Sequence, residues 1–149
     1  MKRYTAALCV VSSFAANTFA PTQADLDRDL ASAAAEWHTE TGDTRIEMQD
    51  IGPCRVGDII ALRRATVRTS RLVFDDGSSG PEVSAASYVI EINSECRWTE
   101  LWLQRAVTHE VGHISKGVTD QHSNNPKSIM FRVVYPDAKH PQGILPEDR

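Results

Sequence analysis

The run Thr108-His109-Glu110-Val111-Gly112-His113, continued from Ile114 through Phe131, decides how this chain is read. It contains His-Glu-x-x-His. On a helix, residues four apart share a face, so His109 and His113 can present both imidazoles to one metal ion. Glu110 is one residue further on, about 100° around the helix. It can stand beside the metal without ligating it and act on a metal-bound water. That spacing is the mechanical signature of a zinc hydrolase. A polar helix can also carry two histidines by accident, so the sequence that follows has to decide.

The helix should stop near Lys116-Gly117, where glycine can take the left-handed conformation that ends helices. Then come Val118-Thr119-Asp120-Gln121-His122-Ser123 and Asn124-Asn125-Pro126-Lys127-Ser128-Ile129-Met130-Phe131. This run resembles the matrixin-like branch of the metzincin metalloproteases. His109, Glu110, Gly112 and His113 match the first half of the family pattern. His122-Ser123, Pro126 and Ser128-Ile129-Met130-Phe131 match the second half. The resemblance is motif-specific from about Thr99 to Phe131; before that it is a matter of element order.

The departure lies in the middle. The family places Gly three residues after the second His and the third ligand six after it. Those positions hold Lys116 and Thr119, whereas Gly117 and His122 come one and three places later. A three-residue insertion in the turn, with His122 as third ligand, accounts for this. Asp120 is the rival, since a carboxylate oxygen also binds zinc. Ser123 directly after His122 and the intact Met segment favour His122.

The 149 residues suggest one domain. Residues 1–20 read as a secretory leader: Met1-Lys2-Arg3 is basic, and Tyr4 to Ala20 is apolar or small and uncharged. Cleavage could follow Ala20 or Ala24, leaving 21–149 as a zincin-like catalytic domain. Ser12, Ser13 and Asn17 interrupt the apolar run and argue against a membrane span. Loss of Lys2 and Arg3 takes the formal charge from −4 to −6. An acidic surface disfavours nucleic acid. Arg63, Arg64, Arg68 and Arg71 form a local basic patch, read as a solvated face with no partner. Cys9 leaves with the leader. Cys54 and Cys96 remain, an even pair in an exported protein, and are expected to form a disulfide. It would stabilise the fold by ~4 kcal/mol in the chain-entropy account.

Along the mature chain, residues 23–40 read as an amphipathic helix. Leu26, Leu30, Ala33, Ala34 and Trp37 recur at spacings of three and four, Thr22 and Asp25 can cap the start, and Thr41-Gly42-Asp43 can end it. His38 on this helix carries no functional claim. Thr44 to Met48 alternates as a strand does, and Gly52-Pro53-Cys54 is a turn. Ile59 to Val67 is ambiguous between strand and helix. Arg71 to Phe74 reads as a strand, and Asp75 to Pro81 as a loop. A calcium site in that loop is conceivable but lacks the six or more oxygens needed. Tyr88 to Ile92 is a strand by residue type. Thr99 can cap a long helix to about Ser115, with Leu101, Trp102, Leu103, Ala106, Val107, Val111 and Ile114 on its apolar face. The tail from Arg132 is irregular, and Leu145-Pro146-Glu147-Asp148-Arg149 looks like the opening of a helix.

The fold class is α+β. By resemblance it is a small zincin-like domain, with a mixed twisted sheet on a first helix and a central zinc-binding helix, then an irregular C-terminal subdomain. The resemblance implies a secreted, monomeric zinc endopeptidase acting on polypeptides, with no nucleic-acid or membrane partner. His109, His113 and His122 would hold zinc, a water would fill the open position, and Glu110 would be the general base. Met130 would lie beneath the metal as a hydrophobic base. The family's transition-state Tyr falls at Arg132, so that role does not carry over, and Tyr135 is left outside the site. An extended substrate should add to the nearest sheet edge. Two other classes are a catalytically silent zinc-binding or interaction protein on the same fold, and a zinc hydrolase of cell-wall peptides.

Overall fold

The computed structural model describes residues 17–55, 60–73, 79–117 and 121–149, with 60–73 and 79–87 given by backbone alone. Residues 1–16 of the expected leader, residues 75–78 of the expected loop and the rival ligand Asp120 lie outside the described residues. Helix α1 spans Gln23–Trp37, strand β1 Arg45–Gln49, β2 Ile60–Val73, β3 Ser79–Asn93 and helix α2 Glu100–Ser115, and a 3-10 turn covers Pro146–Asp148. The architecture is a small α+β domain.

A capping box begins α1. Thr22 Oγ1 accepts from the Asp25 N–H at 3.2 Å, and the Asp25 carboxylate accepts from the Thr22 N–H at 2.8 Å. Leu26, Ala33 and Trp37 are buried along one stripe, with Leu30 packed beside them. The helix ends at Trp37 rather than near residue 40. His38 adopts a left-handed φ of 53°, its N–H bonds the Ala35 carbonyl, and the Thr39 N–H reaches back to Ala34. This is the Schellman closure, usually given to Gly. A His in that role hid the stop, and Gly42 serves the later turn into β1.

The sheet has order β1-β3-β2 and is mixed. β1 runs parallel to the end of β3, with Ile46 opposite Ile90 and Met48 opposite Ile92. β2 and β3 are antiparallel. Residues 60–67 of the ambiguous stretch and 71–73 of the expected strand are thus one element, β2, interrupted by an irregularity at Ala65 rather than by a turn; Ile59 and Phe74 lie outside the described residues. Ser79-Gly80-Pro81 belongs to β3, not to a loop. Pairing with β2 overrides the turn-like composition there. The second register shift falls between Arg71 and Val73, so Gly80 and Pro81 sit where the ladder is broken and no donor is needed from proline.

Cys54 and Cys96 form the expected disulfide, with Cα atoms 5.0 Å apart and a sequence separation of 42. It ties the segment after β1 to the turn that delivers the chain into α2. In that turn, Asn93 Nδ2 donates to the Gly52 carbonyl and Trp98 Nε1 to the Asn93 carbonyl. The Phe19 N–H also meets the Trp98 carbonyl at 2.8 Å. Thr99 then caps α2, its Oγ1 accepting from the Trp102 N–H.

Helix α2 is buried from Trp102 to His113 except at Gln104 and Arg105. It packs on α1 and also meets β2. Leu101, read as part of the apolar face, is instead 39 % exposed. The first turn lies above the layer that Trp102 and Leu103 enter. The tail has little regular structure but many ties. Trp102 Nε1 donates to the Val134 carbonyl, and the Arg105 guanidinium donates to the carbonyls of Tyr135 and Asp137. The Ile129 N–H bonds the Gly143 carbonyl, and the Gly143 N–H bonds that of Lys127.

Candidate metal centre

The middle of α2 places Thr108, His109, Glu110 and His113 in the interior, which is costly for polar groups without partners. Partners are visible for Thr108 and for the two histidines. Thr108 Oγ1 donates to the Gln104 carbonyl one turn back. His109 Nδ1 lies 2.7 Å from the Ile129 carbonyl oxygen. A carbonyl only accepts, so Nδ1 carries the proton and the Nε2 lone pair faces away from Ile129. There the His113 Nε2 stands 3.1 Å from it.

The third histidine comes from the tail. His122 stacks on His109 with ring centroids 5.3 Å apart and meets His113 edge-on at 4.9 Å. One nitrogen from each ring lies within 4.8 Å of the others. The extra length between His113 and His122 therefore does not keep His122 away. His109 and His113 are buried, whereas His122 is exposed. Three nitrogen donors gathered around one point, one ring held through its other nitrogen by a main-chain oxygen, fit a divalent metal ion. Among the described residues no other cluster of three His, Cys, Asp or Glu side chains is placed to do this.

Burial dominates the electrostatics. It pushes the His109 imidazole down to about 4, with His113 and His122 adding to the effect against the Ile129 hydrogen bond. It also pushes the Glu110 carboxyl up to about 8. Without an ion both groups are uncharged at neutral pH, and a neutral His109 is the form that ligates. A cation at the three nitrogens would favour the ionised form of a carboxyl beside it.

Around Gly112 the packing is tight. Met130 is 1 % exposed. A Cβ placed on Gly112 would overlap Met130 Sδ and come 2.6 Å from Trp37 Cζ2. Only glycine fits this helical position, between the two ligating turns. Trp37 is fixed in turn by its indole N–H, which donates to the Thr108 carbonyl at 2.7 Å.

The structure thus brings together His109, His113 and His122, with Glu110 on the same helix and Met130 buried against Gly112. Tyr135 stands in a separate surface stack between Phe131 and His140, and His140 pairs with Asp137. His38 is exposed at the end of α1. Two contributors had no role assigned from sequence. Ser128 and Asp148 are both buried, and their side chains hydrogen-bond at 2.6 Å. The signal for Asp148 was the helix-like opening Leu145-Pro146-Glu147-Asp148: its carboxylate caps that turn by accepting the Leu145 N–H. No protein-family model, curated protein or solved structure matches this chain. Among the described residues no helix is long and apolar enough to cross a membrane, and the disulfide suits an oxidising compartment.

Proposed function

We propose that the chain is a secreted zinc endopeptidase with a zincin-like fold, the reading that its resemblance to matrixin-like metzincins implies. The observation that carries it is the convergence of His109, His113 and His122 on one point, with the buried Glu110 carboxyl interleaved on the same helix. Zinc suits three imidazole nitrogens and keeps a further position open. Bound there, it would supply a Lewis acid for water and for a substrate carbonyl.

The chain's own groups do the remaining work. Ile129 holds His109 in the tautomer that leaves Nε2 as a donor to the metal. The Glu110 carboxylate takes a proton from the attacking water as the new C–O bond forms. It then passes that proton to the departing amine nitrogen as the peptide C–N bond breaks. Burial raises the carboxyl's proton affinity, which suits a group that must both accept and release a proton. The outer side of β2 is a sheet edge, and β2 contacts α2. An extended polypeptide would pair with that edge by strand addition.

The test is hydrolysis of an unstructured protein such as casein by the exported chain, beside Glu110→Ala at matched zinc content. The parent should cleave, and the variant should lose at least about a hundredfold in rate. A zinc-loaded parent that leaves casein intact sinks the endopeptidase reading, and cleavage of peptidoglycan stem peptides instead would redirect it to cell-wall amides.

A further inference from the structure

We infer that Asp148, at the far end of the chain, is a positioning residue for the metal centre, acting through Ser128 on the segment that holds His109 and packs on Gly112. The inference rests on reading the three histidines as metal ligands.

The path is short and fully connected. Asp148 is 2 % exposed, and both carboxylate oxygens are used. Oδ1 accepts from Ser128 Oγ at 2.6 Å, and Oδ2 accepts from the Leu145 N–H at 2.8 Å. Ser128 is fully buried, and its oxygen accepts the Met130 N–H at 2.9 Å. The serine hydroxyl thus donates in one direction and accepts in the other. Between its two anchor points lies Ile129, whose carbonyl takes the His109 Nδ1 proton at 2.7 Å.

The same segment ends in Met130, whose sulfur closes on Gly112. Fixing residues 128–130 therefore sets two things at once. It aims the carbonyl that chooses the His109 tautomer, and it sets how closely Met130 packs on Gly112, in the turn between His109 and His113. Main-chain bonds also hold this segment, Ile129 N–H to the Gly143 carbonyl and Ser123 N–H to the Met130 carbonyl, but Asp148–Ser128 is the side-chain link that a substitution can remove. Not every tail contact reaches it. Arg149, for example, donates to the Glu36 carbonyl at the end of α1.

Outer partners of metal-bound histidines typically change metal affinity by about 10- to 100-fold when removed. The experiment compares the parent, Asp148→Ala, Ser128→Ala, the double variant and Arg149→Ala. The readouts are the Kd for Co2+ alone, thermal unfolding, and the His109 tautomer in the metal-free protein by nitrogen NMR. Asp148→Ala and Ser128→Ala should each weaken Co2+ binding by about 10- to 100-fold. The double variant should be no worse than the weaker single, because the two act as one link. Both singles should lower the share of the Nδ1-protonated tautomer, and Arg149→Ala should leave Kd unchanged. Should Asp148→Ala fail to fold, Ser128→Ala keeps the carboxylate's bond to Leu145 and tests the same link. A parent that takes up one Co2+ beside variants that bind it equally well, however much less stable they are, overturns the positioning role and leaves the metal centre standing. A parent that takes up no Co2+ overturns both.

Discussion

Gly112 shows how much a single position can be asked to do. It lies in the helical turn between His109 and His113, with Met130 Sδ and the Trp37 ring closing on the place its side chain would occupy. Gly112→Ala adds one methyl group to a packed interior. Overpacking of this kind typically costs about 1–3 kcal/mol, and more where the neighbours cannot yield. Thermal unfolding of the metal-free variant should show a clear fall in Tm. Glu110 carries a second prediction at this scale. In the metal-free protein its carboxyl is raised from 4.5 to about 8 by burial, so the folded state keeps a proton that the unfolded chain has released. The stability from that proton is full below 4.5 and is lost as pH rises to about 8. His109, lowered from 6.5 to about 4, acts oppositely, adding stability as pH rises between those values. Between pH 6.5 and 8 only Glu110 contributes of the two. Denaturant melts of the metal-free parent should lose stability across that interval, and those of Glu110→Gln should stay flat. At this scale the sequence was most legible: the His-Glu-x-x-His spacing located His109, Glu110 and His113 because helix periodicity alone fixes their relation. Ser128 and Asp148 were not legible as a pair, since their contact spans 20 residues of irregular chain.

At the scale of elements, α1 and α2 were readable because their start signals are local. Thr22 with Asp25, and Thr99 alone, cap where residue type says they should. Thr22 also gives the choice between the two expected cleavage sites a physical consequence. A chain beginning at Pro21 keeps the capping box, whereas one beginning at Asp25 loses Thr22 from it. The shorter form should be about 1 kcal/mol less stable, the usual worth of such a cap, in side-by-side chemical denaturation. The same holds for Thr22→Ala in the longer form. Where local signals misled, a distant partner decided instead. Ser79-Gly80-Pro81 looks like a loop until β2 pairs across from it. Leu101 fits an apolar helical stripe, yet the helix enters the core only one residue later. His38 ends α1 with a conformation that its residue type does not advertise.

For the whole molecule, a disulfide ties a small core together, and the three histidines offer a second cross-link of different chemistry. The Cys54–Cys96 disulfide joins the region after β1 to the entry of α2. Reducing it should cost ~4 kcal/mol on the chain-entropy account, read as a lower denaturation midpoint in the presence of reductant. A bound ion would be the second link, joining α2 to the tail through His122. At a metal concentration a hundredfold above Kd, binding adds about 2.7 kcal/mol to the folded state. Thermal melts should therefore rise with added zinc and fall back with chelator, and His122→Ala should blunt that response. The α+β class and the disulfide could be anticipated, because patterning and compartment chemistry act on any chain alike. The way the tail folds back under α2 could not, since it depends on single hydrogen bonds such as Ile129 to Gly143 rather than on any repeating pattern.

The unequal exposure of the three histidines has a kinetic meaning. His109 and His113 are sealed into the core, and His122 sits at the surface. An ion held by all three would be walled in from below and reachable from above. An incoming small ligand could take the place of His122 while the two inner rings still held on, so exchange would need no opening of the core. Release to a chelator should then speed up in proportion to chelator concentration, as in a bimolecular handover, rather than plateau at the rate of a protein motion. Stopped-flow transfer of Co2+ to increasing chelator would tell the two regimes apart, and a plateau would place the gate in the fold and not in the outermost ligand.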